Sequence, residues 1–383
     1  MANIIYISKY PPLEGGIASK TYWLTSALAY AGHTIHVVTD GVAVDKYLTI
    51  PNADRPPEMP GVFIHRGDQV VPWHIPNDSH RTISLLDKAL QVVAEEKPDL
   101  IVGGYLVPYG IIASLLSRLT GIPFVLMHGG SDIHKFLLNN VWPHALPQAL
   151  AEACLVVTDY DNQDHISRFT NSIKVLPPYV PAPSAFTRLP RPARDTITLA
   201  LIGKANYHWH HKGWLKIVDL WEQLGDEFRF MVVSQGIGLE NFKTFLAKKL
   251  VNRINWIPFV PPWNMPDLLR KIDGLLYFQD QLPYPMFSNT VLEALACGTP
   301  VITGSINILE GYRKHGIDLG NCTKDLPLFT IPDTKTFKAL MTKHFAKKDG
   351  YIAWDCTPAF NQYVSSIERV FLDTIAEHRG NRP

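Results

Sequence analysis

The sequence is poor in cysteine, has no excess of either charge, and contains no unbroken apolar run that could cross a membrane. Its four cysteines lie far apart without a CxxC pair, which indicates reduced, structural thiols. Its net charge of +1 disfavours a nucleic-acid-binding protein, which usually carries a clear basic excess. Leu100–Ser117 has no charged residue, but Gly103, Gly104, Pro108 and Gly110 divide it into a strand, a loop and a helix.

The N-terminal segment, MANIIYISKY, lacks a basic region followed by a long apolar core, so we expect no signal peptide. Together with the reduced cysteines, this predicts a cytoplasmic protein. Trp142 and the aromatic residues near it permit a second expectation, a peripheral contact with the inner face of the membrane. The sequence leaves that contact open.

Apolar residues are abundant enough for more than one core. The chain has 383 residues, of which 46% are hydrophobic and 19% charged, and this length favours two domains. Six prolines between Pro177 and Pro192 indicate a stiff linker. We predict an N-terminal domain over residues 1–183, a linker over 184–195, a C-terminal domain over 196–358, and a C-terminal helix over 359–383 that packs back toward the N-terminal domain.

Strands and helices alternate in both halves of the chain. An apolar strand at Asn3–Ile7 precedes a glycine-containing loop, a helix at Ile17–Ala31 and a strand at Thr34–Thr39, which is a βαβ unit. The alternation restarts with a strand at Ile197–Ile202, whereas Val42–Asn77 is predicted to be irregular. The fold class is therefore α/β, with two Rossmann-like, doubly wound domains. Further strands are expected at Leu100–Val102, Phe124–Met127, Leu155–Thr158, Lys174–Leu176, Phe228–Val233, Ile254–Ile257 and Gly274–Phe278.

The stretch Tyr284–Gly304 combines a loop, a short helix and a strand. Ser288 can cap the helix, Gly298 ends it, and Val301–Thr303 is a β-branched strand. Free N–H groups at such a helix start favour an anion, although ordinary α/β packing is the alternative. Open α/β sheets bind ligands at the carboxyl ends of their strands, so two of them are expected to face each other across a ligand-binding cleft.

Four segments, in the right order along the chain, resemble the retaining glycosyltransferases of family 4, which have the GT-B fold. They are the run from Tyr10 to Thr39 with its Gly15-Gly16 pair, HGGSD at His128–Asp132, the pair Lys212-Gly213, and LEALACGTPVI at Leu292–Ile302. The resemblance covers Ile4 to about Gly304. It implies transfer of a hexose-type residue from a nucleoside diphosphate sugar to a hydroxyl acceptor, with retention of configuration and without a metal or other cofactor.

The resemblance also implies roles for individual residues. It gives His128 a contact with the transferred sugar, and Lys204 and Lys212 the donor diphosphate, although the family usually has an arginine where Lys204 stands. Glu293 would hold the ribose hydroxyls, which suits an ionised carboxylate. The implied donor-binding residues are Gly15, Gly16, Met286, Phe287, Ser288, Asn289, Thr290 and Glu293, and the candidate acceptor or sugar contacts are Tyr105, Asp132 and His208. Asp132 could equally cap the helix that follows it. The histidines around His208 lack metal-site spacing and a carboxylate, so no metal site is predicted.

One departure from the family pattern affects the expected chemistry. Pro285 occupies the position of the first glutamate of the E-x7-E motif, which contacts the donor sugar, so the identity of the sugar and the activity itself are open. The alternatives are a catalytically weak nucleotide-sugar-binding protein and a GT-B sugar-nucleotide epimerase. A nicotinamide dehydrogenase is disfavoured because Pro11–Ser19 lacks GxGxxG. The acceptor could be a glycan, a lipid-linked molecule or a small molecule, and no nucleic acid partner is expected.

Overall fold

The structure is a computed structural model of the chain. It describes all residues except 42–46, 52–53, 55, 68–78, 191–195, 207–208, 249–252, 279–286, 304–306, 321–333, 346–351 and 381–383, and it describes no side chain at 79, 307, 334, 340 and 343–345. The chain divides into unit 1, Met1–Tyr179 with Asn361–Pro383, and unit 2, Val180–Phe360. Of the predicted site residues, Met286 and His208 lie outside the described residues, as do Pro285 and Cys322.

Unit 1 contains a seven-stranded parallel sheet in the order β3-β2-β1-β4-β5-β6-β7. Its central strands are apolar and buried on both faces, as is typical of a parallel sheet covered by helices. In chain order its elements are β1 (Asn3–Ile7), α1 (Gly16–Tyr30), β2 (Thr34–Thr39), β3 (Val62–Arg66), α2 (Ser79–Glu96), β4 (Leu100–Gly103), α3 (Ile111–Thr120), β5 (Phe124–Met127), α4 (Ala145–Glu152), β6 (Leu155–Thr158), α5 (Gln163–Ile166) and β7 (Ile173–Val175), with π-helical turns at Leu106–Gly110 and Ile133–Leu137.

Unit 2 contains a five-stranded parallel sheet in the order β10-β9-β8-β11-β12. Aromatic side chains fill the layer between the sheet and its helices, with Trp221 stacked on Phe230 at a centroid distance of 4.7 Å. Its elements are β8 (Ile197–Lys204), α6 (Trp214–Gln223), β9 (Phe228–Gln235), α7 (Leu239–Ala247), β10 (Ile254–Ile257), α8 (Met265–Arg270), β11 (Gly274–Tyr277), α9 (Asn289–Ala296), β12 (Val301–Thr303), α10 (Asn307–Lys314) and α11 (Thr334–Phe345), with 3₁₀ turns at Trp209–Lys212 and Pro262–Asn264.

The final helix, α12 (Thr357–Gly380), begins in unit 2, and its residues from Asn361 onward belong to unit 1. Within unit 1, the Oε1 atom of Glu368 lies 3.0 Å from Nε2 of His33, and Arg379 pairs with Asp99. The apolar face of the helix is buried, including Tyr363, Ile367, Val370, Phe371 and Ile375. These contacts attach the helix to the residue before β2 and to the residue before β4.

The predicted α/β fold with two doubly wound domains is confirmed, but the irregular interpretation of residues 42–77 is wrong in part. Strand β3 lies in that range and pairs in parallel with β2. It is an edge strand whose residues are only partly buried, with Phe63 exposed, so it lacks the continuous apolar run of a central strand. Strand β8 also continues two residues beyond the predicted end, which makes Lys204 its last residue.

No helix among the described residues is long and apolar enough to span a membrane. Cys154, Cys297 and Cys356 form no disulfide among the described residues, and the latter two are buried.

Candidate active site

In unit 1 the site begins at His128, the first residue after strand β5. Its side chain is buried, Nε2 lies 2.8 Å from Oγ1 of Thr158, and Nδ1 accepts a hydrogen bond from the backbone N–H of Gly130 at 3.1 Å. Because Nδ1 accepts, Nε2 carries the proton and donates to Thr158. A parallel sheet places the ends of β5 and β6 side by side, which is why residues thirty positions apart in the chain meet here.

Burial also fixes the charge of this histidine. It lowers the pKa of His128, while the carboxylate of Asp159, 4.0 Å from Nδ1, opposes the shift and Lys20 adds to it. Protonation at Nδ1 would also break the hydrogen bond from Gly130. The neutral ring is therefore the form that this structure favours at neutral pH.

Acid is expected to destabilise the protein below about pH 6.5, the ordinary histidine pKa. The pKa values of His36, His65, His128 and His134 are all lowered, in each case chiefly by burial. In that range the unfolded chain binds protons that the folded chain does not, so the free energy of unfolding falls as pH decreases. Urea unfolding at pH 7.5 and pH 5.5 tests this. A curve that is flat between those values would contradict it, and His128→Gln should reduce the slope.

The loop after His128 depends on its glycines. Gly130 has a φ of +78°, and a Cβ on Gly129 would lie 2.4 Å from Cδ1 of Ile17 and 3.0 Å from the ring of Tyr105. The loop therefore packs closely against helix α1 and against the predicted sugar contact Tyr105, whose hydroxyl lies 3.2 Å from Oγ of Ser131. Gly15 has a φ of +108° with open space around it, and Gly16 is the first residue of α1. The predicted glycine pair thus lies at the helix start.

The Asp132 side chain accepts hydrogen bonds from backbone N–H groups and is not exposed to solvent. Its side chain is fully buried, Oδ1 accepts from the N–H groups of Gly129 and Ile133 at 3.1 and 3.2 Å, and Oδ2 accepts from Leu106 at 2.9 Å. It therefore caps the turn that follows and joins it to the segment after β4. The bond from Ile133 agrees with the capping interpretation, and a contact with acceptor or sugar stays a prediction.

Two features of this site were missed at the level of sequence. Lys20 lies in α1 with its side chain buried, and its Nζ donates to the backbone oxygen of His128 at 3.4 Å. Its spacing of four from Leu24, on the same buried helix face, was a usable signal. Asp159 and Asn162 follow β6 and are also buried. Their position directly after a strand was the signal for them.

In unit 2 the predicted lysines meet at the end of β8. Nζ of Lys212 donates to the backbone oxygen of Lys204 at 2.9 Å and lies 5.9 Å from the centre of the Trp214 ring. Gly213, between Lys212 and Trp214 in the chain, has a φ of +70°. A Cβ at this position would lie only 1.8 Å from the backbone oxygen of Phe278. The segment from Trp209 to Gly213, called the lysine turn below, is therefore packed against the backbone that follows β11, and only glycine fits at position 213.

The start of helix α9 is fixed from both sides. Oγ of Ser288 accepts from the N–H of Val291 at 3.4 Å, which confirms the predicted cap, and Gly298 with a φ of +68° confirms the predicted end. The hydroxyl of Tyr312 donates to the backbone oxygen of Ser288 at 2.9 Å, and the ring of Phe287 meets that of Tyr312 edge-on at 5.0 Å. The backbone at the helix start is thus held in place.

Glu293 lies on the second turn of α9 and is only 3% exposed. Glu293 is therefore not an ordinary surface glutamate. Asn289 and Thr290, at the helix start, are half-buried and lie near solvent. Since β8 and β11 are neighbours in the sheet, the lysine turn and the start of α9 follow the carboxyl ends of adjacent strands. Among the described residues no group of three or more acidic, histidine or cysteine side chains could hold a metal.

Two doubly wound units, each with a parallel sheet and with candidate residues at its strand ends, define a two-domain GT-B fold. Residues 15–160 match the family model described as a glycosyl transferase 4-like domain, and residues 196–329 match glycosyl transferases group 1. The chain is therefore a glycosyltransferase, as predicted. No curated protein sequence matches it significantly.

Solved structures with the same fold extend over nearly the whole chain. HepE of Anabaena, in complex with UDP and glucose, is 16% identical with a TM-score of 0.64 and covers 98% of this chain and 100% of its own. Sucrose-phosphate synthase of Thermosynechococcus elongatus is 15% identical with a TM-score of 0.63 over 99% and 98%. UDP-GlcNAc 2-epimerase of Methanocaldococcus jannaschii is 14% identical with a TM-score of 0.54 over 96% and 99%.

Proposed function

We propose that this glycosyltransferase moves a hexose-type residue from a nucleoside diphosphate sugar to a hydroxyl acceptor with retention of anomeric configuration, as in family 4. The observation that carries the proposal is that two lysines and a buried glutamate lie at or after the carboxyl ends of the adjacent strands β8 and β11 in unit 2: Lys204 ends β8, Lys212 lies in the turn after it, and Glu293 lies on α9, which follows β11. These are the groups that a ribose and a diphosphate need.

The charges of these groups suit the departure of a diphosphate. Lys204, Lys212 and the first N–H groups of α9 at Asn289 and Thr290 place positive charge where negative charge develops on the leaving group. Glu293 accepts hydrogen bonds from the two ribose hydroxyls. This arrangement needs no metal ion. Phe287 and Ser288 present backbone N–H groups, and Met286 is proposed to do the same.

His128 of unit 1 is proposed to contact the transferred sugar. Its Nε2–H already donates to Thr158, so a sugar hydroxyl would share or replace that acceptor. In a retaining transfer of this kind the acceptor hydroxyl attacks the face that the diphosphate leaves, and the leaving phosphate takes its proton. No protein nucleophile is then required. Because Pro285 stands in place of the first glutamate of the E-x7-E motif, other groups must select the sugar.

UDP-glucose is the first donor to test, because HepE has been crystallised with it. The assay incubates the protein with UDP-glucose and a mixed set of hydroxyl acceptors, and follows release of UDP together with the anomeric configuration of the product. Retained product supports the proposal, and inverted product contradicts it. Epimerised free nucleotide sugar would instead support the second candidate, a sugar-nucleotide epimerase. This candidate is tested because UDP-GlcNAc 2-epimerase has the same fold. Binding without turnover would indicate a nucleotide-sugar-binding protein.

Lys212→Ala should weaken donor binding about 10- to 100-fold, because a hydrogen bond to a charged group contributes roughly 1.5–3 kcal/mol. Titration calorimetry with UDP measures this. Lys216→Ala is the matched control, since Lys216 is exposed on the neighbouring helix α6. Equal affinities for the two variants would remove Lys212 from the site.

A further inference from the structure

Lys20 is a buried ammonium with unused hydrogen-bond donors. Lys20 is 7% exposed. Among the described residues its Nζ makes one hydrogen bond, a long contact of 3.4 Å to the backbone oxygen of His128. An ammonium group has three N–H donors. It also forms no ion pair within the part of the chain that the structure describes, so two of its donors have no partner among those residues.

Asn162 supplies the complementary unused acceptor. It is 5% exposed, and its Nδ2 donates to both carboxylate oxygens of Asp159, at 2.9 and 3.0 Å. These two bonds fix the orientation of the amide, so Oδ1 points away from Asp159. Oδ1 is buried and accepts no hydrogen bond from any described residue. Such an atom costs about 1–3 kcal/mol unless a partner is supplied.

Asp159 interacts with both side chains, with Asn162 through hydrogen bonds and with Lys20 through its charge. Its Oδ2 lies 4.0 Å from Nδ1 of His128, and its charge acts on Lys20, whose pKa burial lowers to about 8 against the opposing effect of Asp159 and Asp132. Asn162 also borders the glycine loop, since a Cβ on Gly130 would lie 3.9 Å from Nδ2 of Asn162. Both unused groups therefore belong to the surroundings of His128, at the carboxyl ends of β5 and β6.

We propose that Lys20 and Asn162 form a recognition pair for a hydroxyl group of an uncharged sugar, with the Lys20 ammonium donating to the hydroxyl oxygen and Oδ1 of Asn162 accepting its hydrogen. This rests on the proposed function, which brings a sugar to His128. The charge around the pair selects against acids. Asp132 and Asp159 are carboxylates and His128 is neutral, so an anionic group would meet two negative charges and a single ammonium.

The hydroxyl could belong to the transferred sugar or to the acceptor, and two measurements on the full chain distinguish them. The first is the ratio of the affinities for UDP-glucose and UDP, which reports the transferred sugar. The second is the binding of methyl α-glucoside, galactoside and mannoside in the presence of saturating UDP, with glucuronic acid as the charged comparison. Lys20→Met and Asn162→Ala are compared with wild type and with Lys174→Met, a lysine exposed on β7.

Both variants should lose about tenfold in one of these measurements, the loss expected for one hydrogen bond to a charged or buried group. Their melting temperature and affinity for UDP show whether they are folded, because UDP is assigned to unit 2. Unchanged sugar binding in both variants, equal binding of glucuronic acid, or no sugar binding by wild type would overturn the proposal. Failure of UDP to bind wild type would instead contradict the proposed function, and the methyl glycosides would still test the pair.

Discussion

Replacing Glu293 by alanine is expected to weaken binding of the nucleoside diphosphate about 100-fold. A carboxylate that accepts from two ribose hydroxyls makes two charge-assisted hydrogen bonds, and losing them costs roughly 3 kcal/mol. The residue is buried on α9, so the loss should be accompanied by some loss of stability. Calorimetric titration with UDP measures the affinity, and thermal unfolding without ligand measures the stability separately.

Glu293→Gln sharpens this experiment. It keeps the volume and the ability to accept one hydrogen bond but removes the charge, so we expect an affinity between those of wild type and alanine variant. Glu240→Ala, at an exposed position of α7, is the matched control and should leave affinity unchanged. If Glu293→Ala bound UDP as tightly as wild type, Glu293 would have no role in the donor site.

Gly213→Ala is expected to destabilise unit 2 strongly. The new Cβ would overlap the backbone oxygen of Phe278 at 1.8 Å, and neither atom belongs to a flexible side chain. The φ of +70° adds strain for any residue with a Cβ. We expect a loss on the order of 4 kcal/mol, at the upper end of single-residue effects. Donor binding should weaken too, because the lysine turn must move.

Gly311→Ala provides the opposite case. Gly311 lies within helix α10, and a Cβ there would meet no atom within 4 Å. Alanine should stabilise the helix by about 0.5–1 kcal/mol, because it loses less backbone freedom on folding. Urea unfolding of both variants provides the comparison. Equal stabilities for the two would show that the turn at Gly213 tolerates a side chain.

The parts of the fold that follow from local signals were predictable. The apolar run before His128 forms β5, Ser288 caps α9, and Gly298 ends it. In each case the physical cause lies within a few residues: side-chain burial, a hydroxyl that accepts a helix N–H, or a backbone angle that favours glycine. These elements place the family motifs at strand ends.

The contacts between distant residues were not predictable in the same way. The Asp132 carboxylate accepts from Leu106, and Glu368 meets His33 across 335 positions of the chain. Strand β3 was not predicted because an edge strand buries few of its side chains, so its hydrophobic pattern resembles that of a loop. Asn162 shows why such contacts matter, because its unused acceptor is apparent only once Asp159 occupies the amide nitrogen.

Binding of nucleoside diphosphates to the wild-type protein tests the central claim most directly. A ligand that binds only the folded state raises the melting temperature with concentration. At least one of UDP, GDP, ADP, CDP and dTDP is expected to produce a saturable rise, which Lys212→Ala and Glu293→Ala should reduce. If none of these nucleotides raises the melting temperature of the wild type at millimolar concentration, the donor site assigned to unit 2 is wrong.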